Sequence, residues 1–346
     1  MGLFSGCYTA LITPMKKNFE IDYEGLRKLV EFQVENNVSG ILAVGTTGES
    51  PTLDWEEHNK VIEKIYEFAN DKCLTIAGTG SNSTKEAFEA TKHAFEYGIE
   101  CFLLVDPYYN GPSSIEIRKE YIEPIAKSFP DAFFIPYVIP GRTGTQLLPQ
   151  DLAILHSKFQ NVRAVKEATG NLENMKLTRK LCGEDFDILS GDDDITYTMM
   201  TSPDINASGV ISVTSNIAPK AVQEMTVKIL NGNINEASKL YEALKPLFSI
   251  VTVKTNEDTQ FGQVVCKARN PLPYKTLMNI LGMPSGPCRP PLGKMTKNGI
   301  EKMLMEVRKV YENNPGILKP IEVFFDVDLS ERLYNKEFLR GLYYED

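Results

Sequence analysis

Hydrophobic positions along the chain gather into short, nearly continuous runs that recur from the N-terminus to beyond the middle. Eight are strand-like: GCYTALIT (6–13), GILAV (40–44), LTIAG (74–78), CFLLV (101–105), AFFIPYV (132–138), VRAVKEA (162–168), FDILSG (186–191) and ASGVISV (207–213). Between them the period changes. In YEGLRKLVEFQVENN (23–37), Leu26, Leu29, Val30 and Phe32 recur at near-helical spacing, and 55–70 and 84–98 do likewise. The third of these follows Ser83 and Thr84 as candidate caps and stops at Gly98. A strand followed by a helix, eight times over, predicts parallel pairing with right-handed crossovers. Near-continuous apolar strands predict a sheet covered on both faces. The pattern therefore predicts an α/β fold, a closed (β/α)8 TIM barrel over 1–230, in preference to an open doubly wound sheet. Residues 231–314 read as a C-terminal helical extension, in NINEASKLYEALKPLFSIV, NPLPYKTLMNILG and KNGIEKMLMEVRKVYENN. Residues 315–346 form an additional tail, Pro-punctuated and then aromatic and acidic. Its Phe324, Phe325, Tyr334, Phe338, Tyr343 and Tyr344 could pack on the barrel or on another subunit.

Composition narrows the function classes. Hydrophobic residues make up 42% of the 346 and charged residues 24%, the balance of a soluble globular protein. A net charge of −9 argues against nonspecific binding to nucleic acid or to an anionic membrane. No apolar run is long enough to span a bilayer, and the N-terminus has neither the basic start nor the apolar core of a signal peptide. The six cysteines are scattered without C-x-x-C spacing and the three histidines lie far apart, so a cytoplasmic protein with free thiols and no zinc site is expected. No G-x-G-x-x-G opens a helix, and GTGS (78–81) is too short for a dinucleotide site.

The candidate chemistry lies where the strands end, the face on which barrels of this kind carry their sites. GTTGES follows the second strand, DPYYN the fourth, YVIPGRTG closes the fifth, Lys166 sits on the sixth, SGDDD ends the seventh and GVISVTSN the eighth. A lysine at a strand end is ordinarily solvated, its stem lying along the sheet edge. An apolar site would instead lower its pKa and free the amine to form a Schiff base. The company Lys166 keeps favours the second reading. Thr46 and Thr47, between Gly45 and Gly48, read either as a capped turn or as a carboxylate site built from hydroxyls and the N–H groups of a helix start. Tyr137 reads as packing or, beside a Schiff-base lysine, as a proton relay. Arg142 reads as a surface ion-pair partner or as a carboxylate clamp.

GTTGES (45–50), PYYN (107–110), YVIPGRTG (137–144), VKEATGN (165–171), SGDD (190–193) and GVISVTSN (209–216), in this order, make the chain resemble the dihydrodipicolinate synthase / N-acetylneuraminate lyase family. The resemblance runs over about 1–300. It implies a class I aldol-type condensation in which Lys166 forms an imine with pyruvate, and the resulting enamine attacks L-aspartate 4-semialdehyde. In that scheme Tyr137, Thr46 and Tyr109 form the proton relay, Tyr109 reaching across from a neighbouring subunit of a homotetramer. Thr47 helps bind the pyruvate carboxylate and Arg142 binds that of the semialdehyde. Gly191 and the backbone carbonyl of Ile211 line the pocket near the lysine. No metal or organic cofactor is implied. The doubled Thr and the Arg of GRTG resemble the synthase branch more than the sialic acid lyases, while Val138 stands where the family usually has Asn. The resemblance also implies an inhibitory L-lysine cleft at Ser50, Trp55, His58, Asn82, Glu86 and Tyr108, each of which reads equally as an ordinary helix-face or loop residue. A related pyruvate aldolase or lyase acting on a sugar acid, and a silent relative that only binds pyruvate or lysine, stay open as alternatives.

Overall fold

The computed structural model describes residues 2–345. All eight expected strands are present: β1 (Gly6–Ala10), β2 (Gly40–Ala43), β3 (Leu74–Gly78), β4 (Cys101–Val105), β5 (Phe133–Val138), β6 (Ala164–Glu167), β7 (Asp187–Ser190) and β8 (Gly209–Ser212). They pair in parallel in sequence order, and β8 returns to β1 to close the barrel. Several ladders are shorter than the apolar runs because the last residues of each run leave the sheet to build the rim. The principal crossover helices are α1 (Tyr23–Glu35), α2 (Trp55–Ala69), α3 (Thr84–Glu96), α4 (Glu123–Ser128), α5 (Pro149–Lys158), α6 (Leu172–Cys182), α7 (Thr196–Thr201) and α8 (Pro219–Leu230).

The period of two in each strand sorts side chains into two cores. Tyr8, Leu42, Ile76, Leu103, Ile135, Tyr137, Leu189 and Ile211 fill the barrel interior. Ile41, Phe102, Phe134, Val165, Ile188 and Val210 face outward into the larger core shared with the helices. On β6 and just past its end, Ala164 and Ala168 belong to the inner set while Val165 belongs to the outer. Lys166 therefore points inward, between two of the smallest side chains available.

The C-terminal region is not wholly helical. After α9 (Ile234–Ser249) the chain forms an antiparallel hairpin, β9 (Thr252–Thr259) and β10 (Gly262–Arg269), before α10 (Leu272–Leu281) and α11 (Lys297–Asn313). The hairpin's sequence, TVKTNEDTQFGQVVCKAR, is rich in β-branched residues and breaks at a glycine, which suits paired strands better than a helix. The tail continues in α12 (Lys319–Phe325) and α13 (Leu329–Tyr334). Phe324 and Phe325 pack on Phe32 of α1 with ring centroids 5.3 and 5.1 Å away. Arg332 donates to the Ile280 carbonyl at 3.1 Å and covers the Phe338 ring. These tail aromatics thus fold back on their own chain. Among the described residues no helix is long and apolar enough to cross a membrane.

A buried ion pair joins the C-terminal region to the rim. Lys275 of α10 and Glu49, in the loop after β2, are 1% and 0% exposed and meet at 2.5 Å. The Lys275 ammonium also donates to the carbonyls of Thr13 at 2.9 Å and Pro287 at 2.8 Å, so all three of its donors are used. The second Glu49 oxygen accepts the Arg289 N–H at 2.8 Å. Removing one partner of such a pair strands a charge in a low-dielectric interior. Lys275→Met should lower the unfolding free energy by about 3–5 kcal/mol in urea titrations, and the double variant Glu49→Gln/Lys275→Met should recover part of that loss.

Candidate active site

Lys166 is 4% exposed. Its β5 register partner is Tyr137, and its Nζ stands over the Tyr137 ring, 4.1 Å from the centroid. Burial lowers the Lys166 pKa to about 8, against the opposing pull of Asp192 and Asp193, with Arg142 adding to the depression. Near neutrality a substantial minority of the amine is therefore unprotonated, which an ordinary surface lysine does not achieve. Burial also lifts the Tyr137 phenol to about 12, opposed by Arg142. Tyr137 thus carries its proton at physiological pH and can hand it over only to a strong acceptor nearby.

The expected rim residues line two adjoining cavities. The larger, of about 820 Å³, is walled by Thr46, Thr47, Tyr137, Arg142, Lys166 and Gly191, among others. The smaller, of about 210 Å³, shares Thr46, Tyr137 and Arg142 and extends to Ser50 and Tyr108. Arg142 lies in a single helical turn, Pro140–Thr143, whose closing Thr143 hydroxyl donates to the carbonyls of Ile139 at 3.1 Å and Thr145 at 2.8 Å. Val138 does not disturb this loop, since its side chain faces the outer core. Gly191 must lack a side chain: a Cβ there would come within 2.7 Å of Ala168 Cβ and 3.3 Å of Lys166 Cε.

Some expectations change. The Thr46–Thr47 loop leads into a single 3-10 turn, Ser50–Thr52, and not straight into α2, which begins at Trp55 with Asp54 capping it in a box with Glu57. The N–H groups of Gly48, Glu49 and Ser50 bond back to the carbonyls of Gly45, Thr46 and Gly45. The hydroxyls and N–H groups of Thr46 and Thr47 are what the loop can offer an anion. Ile211 lies within the barrel interior, and Val213 forms the cavity wall after β8. Tyr109 is 93% exposed, with φ at +80°, and lines neither cavity. Within one chain it does not meet Lys166.

Two contributors carried no assigned role in the sequence reading. Asn270 donates from Nδ2 to the Thr47 hydroxyl at 3.0 Å, while its backbone carbonyl accepts Arg142 Nη2 at 3.1 Å. It links both anion-binding candidates, yet nothing in its local sequence marks it. Asp192 sits on the wall of the larger cavity, its pKa raised to about 6 by burial and by Asp194. The run of three aspartates at a strand end was the signal for it. Among the described residues no group of His, Cys, Asp or Glu side chains is arranged to hold a metal ion.

Comparison with known proteins bears on this geometry. The model of the dihydrodipicolinate synthetase family matches residues 3–309. The chain belongs to that family. A 4-hydroxy-tetrahydrodipicolinate synthase of Methanococcus maripaludis is 40% identical over 314 residues, covering 91% of this chain and 99% of the relative. The crystal structure of dihydrodipicolinate synthase from Aquifex aeolicus superposes with a TM-score of 0.81 at 38% identity, covering 91% of this chain and all of the other. The Cyanidioschyzon merolae enzyme, solved with lysine bound, gives 0.81 at 34% identity, covering 90% of this chain and 99% of the other.

The amine predicts a pH profile. Reduction of a keto acid onto Lys166 by borohydride should rise about tenfold per pH unit below about 8 and flatten above it, because only the neutral amine attacks. Mass spectrometry of the trapped adduct, with Lys166→Ala as the blank, reads this directly.

Proposed function

We propose that the chain is a 4-hydroxy-tetrahydrodipicolinate synthase, a lyase of lysine and diaminopimelate biosynthesis that condenses pyruvate with L-aspartate 4-semialdehyde. The observation that carries the reading is the buried Lys166 amine, set in register with Tyr137 and brought near neutrality by burial. Lys166 attacks the keto carbon of pyruvate, and water leaves as the imine forms. Loss of a methyl proton gives the enamine, whose carbon attacks the aldehyde and leaves a hydroxyl there. The amine of the semialdehyde then adds to the imine carbon and displaces Lys166 as the ring closes. The protonated imine is the electron sink, so the scheme asks for no added cofactor.

Each wall residue has a place in this scheme. Thr47 holds the pyruvate carboxylate, its hydroxyl oriented by Asn270. Arg142 takes the carboxylate of the semialdehyde, its guanidinium fixed by the Asn270 carbonyl. Tyr137 and Thr46 move protons at the carbinolamine. Tyr109, exposed and held at positive φ, completes the relay of a neighbouring copy in a homotetramer. Gly191 keeps the lysine's approach open, and in this scheme the Ile211 carbonyl lines the pocket near the lysine. A sugar-acid aldolase or lyase would share Lys166 and Tyr137, but Arg142 on the cavity wall favours a short aldehyde that carries its own carboxylate.

A lysine effector fits the neighbouring cleft. Ser50 Oγ lies 3.3 Å from His58 Nε2, and Trp55 packs on the His58 ring at 4.8 Å. Burial keeps His58 neutral, with its pKa lowered to about 4, and its Nδ1 has no partner among the described residues. Asn82 accepts the Tyr108 N–H at 3.2 Å, and Glu86 accepts the Ser81 hydroxyl. Ser50 and Tyr108 also line the smaller cavity beside Tyr137, so an amino acid held there would bear on the relay.

Purified protein should consume pyruvate with aspartate semialdehyde, Lys166→Ala should not, and N-acetylmannosamine should be a poor replacement. Turnover with the sugar aldehyde alone would move the chain to the lyase reading, and an untrappable Lys166 to the silent one. Millimolar L-lysine should slow the wild type, and Glu86→Ala should weaken that inhibition at least tenfold. Unchanged rates across the titration would remove the effector reading.

A further inference from the structure

The hairpin β9–β10 brings to the active-site cavity a group of cations that the proposed condensation does not use. Its period of two gives it unlike faces. On one, Thr255 and Glu257 meet the start of α11, where Thr255 Oγ1 lies 3.3 Å from Thr296 Oγ1 and Glu257 accepts Asn298 Nδ2 at 2.7 Å. On the other, Lys254 and Lys267 stand directly opposite each other, and Arg269 pairs with Thr252 at the next position of the same face. Lys254, Lys267 and Arg269 all line the cavity that holds Lys166, with Arg142 on its wall and Lys302 of α11 beside them.

This arrangement is costly by itself. Like charges directly opposite on paired strands destabilise the pair. Among the described residues none of these five cations is in an ion pair with a carboxylate, although sixteen Lys or Arg pairs of that kind form elsewhere. Glu306, on the same wall, is taken by Lys309 at 2.6 Å. Asp192 lies beside Lys166, next to the catalytic end. The proximity is felt: Arg269 first, then burial, Lys254 and Arg142 lower the Lys267 pKa. The chain as a whole carries −9, so an anion gains little from the long-range field and needs a local positive site. Pyruvate at Lys166 and one carboxylate at Arg142 leave the hairpin end of an 820 Å³ cavity unused.

We propose that the inner face of the hairpin is a second anion subsite, in which Lys254, Lys267 and Arg269 hold one carboxylate or phosphate of a small polyanion whose other end reaches Arg142. Such a ligand occupies the outer part of the aldehyde site and competes with the second substrate but not with the keto acid at Lys166. The kinetic consequence rests on the synthase reading; the binding does not.

The test is calorimetric titration of the full chain with citrate at low ionic strength, alongside inorganic phosphate and acetate. Citrate should bind at least tenfold more tightly than acetate. Lys254→Gln/Lys267→Gln, and separately Arg269→Gln, should each weaken citrate at least tenfold without lowering the melting temperature. Phosphate binding that falls in step would place phosphorylated metabolites in the same class, whereas phosphate no tighter than acetate would restrict the class to polycarboxylates. Steady-state rates should show citrate competing with the semialdehyde only. Equal citrate affinity in wild type and both variants overturns the subsite, as does citrate binding no tighter than acetate. A protein without semialdehyde turnover loses the kinetic arm alone, and the titration still decides.

Discussion

The site depends on one buried contact that belongs to no strand ladder, that between Glu49 and Lys275. Glu49 closes the loop that carries Thr46 and Thr47. Lys275 belongs to the helix that follows the hairpin and Asn270. The pair therefore locks the barrel rim to a segment more than two hundred residues later. Arg289 extends the clasp with two bonds to Glu57 at the start of α2. Once this is in place, Asn270 can reach both Thr47 and Arg142. The C-terminal region is thus a wall of the active site and not an accessory to a finished barrel.

Within that frame the lysine is tuned by opposition. Closure of the barrel takes water from the amine, and the alanines on either side leave its stem room but no polar company. Two nearby aspartates restrain the resulting loss of basicity. Either influence alone would misplace the group: burial unopposed would leave a weak nucleophile, and the aspartates unopposed would keep it charged. The same desolvation moves Tyr137 the other way, so acid and base are set apart by a shared environment.

Much of this was legible in the chain. All eight strands announced themselves because a doubly covered parallel strand is apolar along its whole length. Lys166 stood out because it interrupts such a run. The hairpin did not, since its strands are half-exposed, mix polar and apolar residues on both faces and lie between two helical stretches. Asn270 was hidden for another reason: its importance comes from long-range partners that no local pattern encodes. Tyr109 was named only through resemblance, and within its own chain it stays exposed and lines neither cavity. The tail's aromatics declared that they would pack but not against what; α1 supplied the answer for Phe324 and Phe325 through Phe32, while Tyr334 and Tyr344 stay exposed.

The chain contains a single tryptophan, and it is Trp55, stacked on His58 at the edge of the cleft beside the smaller cavity. Indole emission from the whole protein therefore originates at one place, about one-third exposed and in contact with a neutral imidazole. Its intensity and wavelength report on that cleft without a label. A fluorimeter can follow changes at that cleft separately from events at Lys166 in the unmodified protein.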